Sequence, residues 1–137
     1  MKANLKKISL ALFCIYLVAV AALCFLRPSS LPEMNIKTFL GLPIDKVLHF
    51  LMFLPYPAIA YIAFRPENRR KWLHLLVLLA VFAAGIGLAM TTEKLQGLSE
   101  YRAYEVTDFY ADILGMECCT IATALYIIFR RDKKDNR

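Results

Sequence analysis

Four runs of apolar residues, each long enough to cross a lipid bilayer, decide what this chain can fold into. They cover roughly residues 8–26, 47–64, 72–90 and 113–129, the last within a helix expected over about 108–129, and a hydrocarbon core needs about 20 residues of helix. Of the 137 residues, 59% are hydrophobic, more than the roughly 45–50% of an ordinary soluble domain. The expected fold is therefore all-α, an integral membrane four-helix bundle forming a single domain over residues 1–137. Little chain is left for a separate soluble domain.

The basic residues orient such a bundle. Lys2, Lys6 and Lys7 precede the first run, Arg65, Arg69, Arg70 and Lys71 fill the second connection, and Arg130, Arg131, Lys133, Lys134 and Arg137 close the chain. The bias of Lys and Arg toward cytoplasmic segments puts both termini and the second connection inside, and an even number of spans closes that alternation. The net charge of +6 is thereby explained as topology, with no nucleic acid partner required. The first run resembles a signal peptide, but it is too long, and Arg27 and Pro28 follow it where a small-residue cleavage site is needed. It reads as a retained helix.

Cys14, Cys24, Cys118 and Cys119 all fall in apolar runs without ligand-like spacing, so they read as packing residues. Pro55 and Pro57 predict a kink in the second helix. Ala83, Gly87 and Thr91, four apart, predict a small-residue stripe along which the third helix approaches a neighbour. His74 is expected at the cytoplasmic interface without a catalytic role. The connection over residues 27–44 exceeds what topology needs and is long enough to form a lid.

Polar side chains away from the ends gather in one place. Asp45, Lys46 and His49 open the second helix, and Asp45 and His49 are four apart, on one face. Glu93 and Gln96 end the third. Arg102 lies in the last connection, and Asp108, Asp112 and Gly115 form one stripe on the fourth helix. Alternation of the spans puts all of these at the outer side. Ionisable groups at membrane depth are expensive and mark function by default. Each has a plainer role alone: Asp45 as a helix cap, Lys46 as a snorkelling cation, Gln96 as a surface residue, Glu93 and Glu105 as solvated carboxylates. Leaving His49, Asp108 and Asp112 all unpaired is the costly alternative. Glu117 is placed deeper on the fourth helix and stands apart.

The segments DKVLHF at 45–50 and EKLQ at 93–96, with Arg102, Asp108, Asp112 and Gly115 at their intervals, resemble the VanZ-like family pattern of D-K-x-x-H-F followed by E-x-x-Q, R and D-x-x-x-N-x-x-G. The resemblance covers roughly residues 45–115. It implies a bacterial inner-membrane protein whose prototype lowers susceptibility to lipoglycopeptide antibiotics such as teicoplanin. Asp112 stands where that pattern has Asn, and a second negative charge beside Asp108 calls for a proton or a cation to compensate it.

Two functions are expected from these residues. The first is an accessory envelope protein whose outward-facing site binds a lipid head group, a cell-wall precursor or an amphiphilic antibiotic, with Lys46, Gln96, Arg102 and Asp112 as ligand-binding residues. The second is a small membrane enzyme on a lipid-linked substrate. There His49, oriented by Asp45, is the general acid or base, with Glu93 and Asp108 as partners. No cofactor motif is present. A divalent ion on His49, Glu93, Asp108 and Asp112 is a variant of the enzyme reading, since these donors are separated and no local metal motif joins them.

Overall fold

The computed structural model describes residues 2–25, 38–39, 41–68, 70–98 and 105–130, with side chains of the first helix from residue 4 onward. Helices α1 (Lys2–Phe25), α2 (Ile44–Phe53), α3 (Tyr56–Phe64), α4 (Lys71–Gly97) and α5 (Val106–Phe129) hold nearly all of it. α2 and α3 together make one span of 21 residues, so there are four candidate spans among the described residues, of 22, 21, 27 and 24 residues. This is a multi-pass membrane protein. Its outer faces carry Ile15, Val18, Leu79 and Ile121, each more than half exposed, an arrangement that water penalises and lipid accepts.

One detail departs from the all-α expectation. Thr38–Phe39 (β1) and Leu42–Pro43 (β2) pair antiparallel, Thr38 opposite Pro43 and Phe39 opposite Leu42. Gly41 has φ 81°, a left-handed conformation that glycine enters without steric cost, so so short a reversal can close here. Most of the 27–44 connection, where a lid was expected, lies outside the described residues.

The expected kink is a full break. α2 stops at Phe53 and α3 restarts at Tyr56, with Pro55 between them and Pro57 in the first turn of α3. Proline there sacrifices no donor that the new helix needs, whereas Pro55 would have removed one from a continuous helix. The break sits against Gly115 of α5. A Cβ at that glycine would collide with the Phe50 carbonyl oxygen and crowd the Leu54 amide. Glycine is what lets the two backbones touch, and the stripe of Asp108, Asp112 and Gly115 does face one partner, α2.

α5 packs against α2, α3 and α4, while α1 lies mainly on α3. Phe13, Val20 and Cys24 of α1 join Phe53, Tyr56, Ala60, Val81, Ala89 and Met116 in one cluster, where close packing rather than exclusion of water holds the helices. Phe13 meets Phe64 edge-on at 5.3 Å, and the Tyr16 hydroxyl donates to the Met52 carbonyl at 2.6 Å.

The expected packing stripe on α4 is rotated. Ala83, Gly87 and Thr91 face outward, and a Cβ at Gly87 would meet nothing. The buried small residues are Gly85 and Ala89, and Gly85 receives Tyr56 and Met116. Of the four cysteines expected to be packing residues only Cys24 is buried; Cys14 and Cys118 are exposed and Cys119 is half-buried.

Candidate functional site

α4 runs about 40 Å at 1.5 Å per residue, some two turns more than a hydrocarbon core about 30 Å thick requires. Its last turns therefore carry Glu93 and Gln96 on helix, beside the first turns of α2 and α5. The three helices bring Asp45, Lys46, His49, Glu93, Asp108 and Asp112 together at one end of the bundle. Glu93, expected in the site with a solvated carboxylate as its plainer alternative, is 1% exposed, and Asp112 is fully buried.

His49 is the centre. Its Nδ1 lies 3.0 Å from Asp112 Oδ1 and 3.7 Å from Glu93 Oε1, and its Nε2 lies 3.6 Å from Asp108 Oδ2. Only the first is a hydrogen bond, donated by the imidazole N–H to the carboxylate. The residue that orients His49 is thus Asp112, and not Asp45 four residues back. Asp45 is half-buried, with an oxygen within 4.8 Å of donor atoms of His49 and Asp108. The local spacing was real, but a carboxylate delivered by a neighbouring helix comes closer.

Lys46 closes the more exposed side of the cluster. Its ammonium donates to Asp108 Oδ1 at 2.7 Å and to Glu105 Oε2 at 2.8 Å. Glu105, whose plainer role is a solvated carboxylate, is half exposed and also takes part in this ion pair. It precedes Asp108 by three, which puts both carboxylates on the side facing α2. Asp108 thus joins the two partners, Lys46 through one oxygen and His49 across the other.

Several buried carboxylate oxygens remain unspent. Both oxygens of Glu93 and Oδ2 of Asp112 have no hydrogen-bond partner among the described residues. Leaving a buried polar group unsatisfied costs about 1–3 kcal/mol, and more when it is charged. Such a cluster is costly to the fold, and function is the usual reason one persists.

The other expected residues divide. Gln96 is buried and donates from Nε2 to the Cys24 carbonyl at 2.9 Å, capping the end of α1, where helical carbonyls lack partners. Arg102 lies outside the described residues. Glu117 is exposed on α5 and takes no part in the cluster.

A polar network that sequence reasoning missed occupies the opposite end. His74, expected at the interface, is 3% exposed. The Tyr61 hydroxyl donates to its Nδ1 at 2.7 Å, and its Nε2 donates to the Asn68 carbonyl at 2.8 Å. Both ring nitrogens are used in the neutral tautomer. Tyr61 and His74 stand on different helices with no periodic relation, so nothing local announced the pair.

No family model and no solved structure matches the chain. Over 127 residues, 93% of this chain and 67% of the other, it is 30% identical to the uncharacterized protein C11E3.10 of Schizosaccharomyces pombe (strain 972 / ATCC 24843). The chain belongs to the same family as that fission yeast protein.

Proposed function

We propose that this chain is a VanZ-like membrane protein that receives the polar head group of a membrane lipid at the end of the bundle carrying His49, as an accessory protein of the cell envelope. The observation that carries this reading is the convergence of His49, Glu93, Asp108 and Asp112 from three helices, with carboxylate oxygens left unpartnered inside the protein. The unpartnered carboxylate oxygens accept from the ammonium or hydroxyl donors of a head group, Lys46 at the rim holds Asp108 and Glu105 in place, and Arg102 of the last connection supplies a cation for its phosphate. The head group is preferred to a cell-wall precursor or a lipoglycopeptide such as teicoplanin because the family has a member in fission yeast, and lipid head groups are the ligand class common to all such membranes. The basic clusters favour cytoplasmic termini and an outward-facing site, in the inner membrane if the host is bacterial.

Native mass spectrometry of the protein in detergent, with phosphatidylglycerol, phosphatidylethanolamine or phosphatidylcholine added in graded amounts, tests the reading through the lipid bound per chain. Soluble short-chain versions of each lipid serve as competitors. One head group should compete selectively, and Lys46→Ala and His49→Ala should each abolish that selectivity. Equal competition by every head group, unaltered in both variants, rejects it.

A second reading, a small enzyme with His49 as general acid or base, is favoured by one specific observation. Asp112 holds Nδ1 at 3.0 Å, and a carboxylate in that place fixes the tautomer and orientation of an imidazole whose other nitrogen does the proton transfer. Mass spectrometry of vesicle lipids after incubation with the protein would then reveal a product that His49→Gln does not make. Unchanged lipids across the panel reject the enzyme reading.

A further inference from the structure

We propose that His49, Glu93 and Asp112 form a binding site for a divalent first-row metal ion, zinc or manganese. The proposal rests on the reading of the His49 end as the working site and adds what occupies its centre. The donor atoms of these three residues all lie within 4.8 Å of one another, on three different helices, and all three residues are buried. Acidic residues gather on many protein surfaces without a ligand. This group differs because Glu93, 1% exposed and facing His49, has neither oxygen hydrogen-bonded among the described residues, and Asp112 Oδ2 is in the same condition. Among the described residues these oxygens accept no well-formed hydrogen bond.

Distance and charge agree with an ion at that point. Bonds of about 2.1 Å in a tetrahedral site put neighbouring ligand atoms about 3.4 Å apart. His49 Nδ1 lies 3.0 Å from Asp112 Oδ1 and 3.7 Å from Glu93 Oε1, on either side of that value. Two carboxylates and a neutral imidazole carry a charge that a divalent ion cancels. With Nδ1 on the ion, the Nε2–H of His49 is turned toward Asp108 Oδ2 at 3.6 Å. Lys46 holds the other oxygen of Asp108 at 2.7 Å. A carboxylate behind a ligating imidazole is the usual support of such a ligand. One nitrogen donor among oxygens suits zinc or manganese, whereas calcium takes six to eight oxygens. Three protein ligands leave at least one position for water or for an oxygen of the head group.

The test uses the full chain in detergent, stripped with chelator and then equilibrated with zinc alone and with manganese alone. Bound metal per chain is measured by elemental analysis after gel filtration, and affinity by competition with a chromophoric chelator. One equivalent of zinc or manganese is expected. Glu93→Gln and Asp112→Asn should each weaken binding at least about tenfold. Asp108→Asn should weaken it less than either, because Asp108 stands 3.6 Å behind His49 Nε2 without a hydrogen bond to it. Tyr61→Phe, at the opposite end, should leave it unchanged. Either ligand variant suffices if the other does not fold. Absence of stoichiometric metal, equal binding in the ligand variants, or a preference for calcium overturns the proposal. Head-group competition in detergent is scored separately. Metal lost with head-group selectivity intact sinks only the metal site, and selectivity lost with metal intact sinks only the head-group reading.

Discussion

The protein buries two histidines, one near each end of the bundle, and they are held in opposite ways. His74 has a neutral partner on each nitrogen, the Tyr61 hydroxyl at 2.7 Å and the Asn68 carbonyl at 2.8 Å. His49 is ringed by carboxylates, of which only Asp112 is within hydrogen-bond distance, and three nearby oxygens have no partner among the described residues. A structural histidine exhausts the hydrogen-bonding capacity around it, because an unused buried donor or acceptor destabilises the fold. A working one leaves capacity over. The contrast separates an end of the bundle built for stability from an end where stability is sacrificed, the pattern expected of functional sites.

Four substitutions probe that difference, the largest effect first. Gly115→Ala should drive α5 off the α2 backbone at Phe50 and cost about 3 kcal/mol, the upper end for overpacking. Unfolding in mixed micelles would measure it, and a neutral result would mean that the two helices do not meet there. His74→Ala strands the Tyr61 hydroxyl and the Asn68 carbonyl, so a loss of about 2 kcal/mol is expected, with metal affinity untouched. Were metal affinity to fall with it, the two ends would not be separable.

Lys46→Met removes the bridge to Asp108 and Glu105. Because Lys46 is partly exposed, the expected cost is only about 1 kcal/mol, visible as a lower melting temperature that added salt diminishes. The smallest effect has the opposite sign. Gly87→Ala places a methyl group where nothing stands, and a helical glycine replaced by alanine gains about 0.5–1 kcal/mol. A loss there would restore the 83/87/91 stripe as a packing face.

The spans were legible because bilayer thickness and helical rise translate directly into run length, and the Pro55 break because proline lacks the donor that a continuous helix needs. The grouping of Asp108, Asp112 and Gly115 was legible from spacing alone, since polar residues on an apolar helix reveal its phase. The phase of α4 was not. Its lipid-facing and bundle-facing sides are both apolar and both carry small residues, Ala83 and Gly87 on one, Gly85 and Ala89 on the other, so periodicity cannot choose between them. The same limit hid the Tyr61–His74 pair and the choice of Asp112 over Asp45 as the partner of His49. Spacing along one helix says which side chains share a face, and only the packing of three helices says which carboxylate arrives closest.

The most direct test of this division is the unfolding free energy of chelator-treated protein compared with its Glu93→Gln variant in the same micelles. Gln is nearly isosteric with Glu and removes a buried carboxylate that has no hydrogen-bond partner among the described residues, so the variant should be more stable by about 1–3 kcal/mol. A variant less stable than the parent would mean that Glu93 is already satisfied, and that the His49 end is built on the same terms as the His74 end.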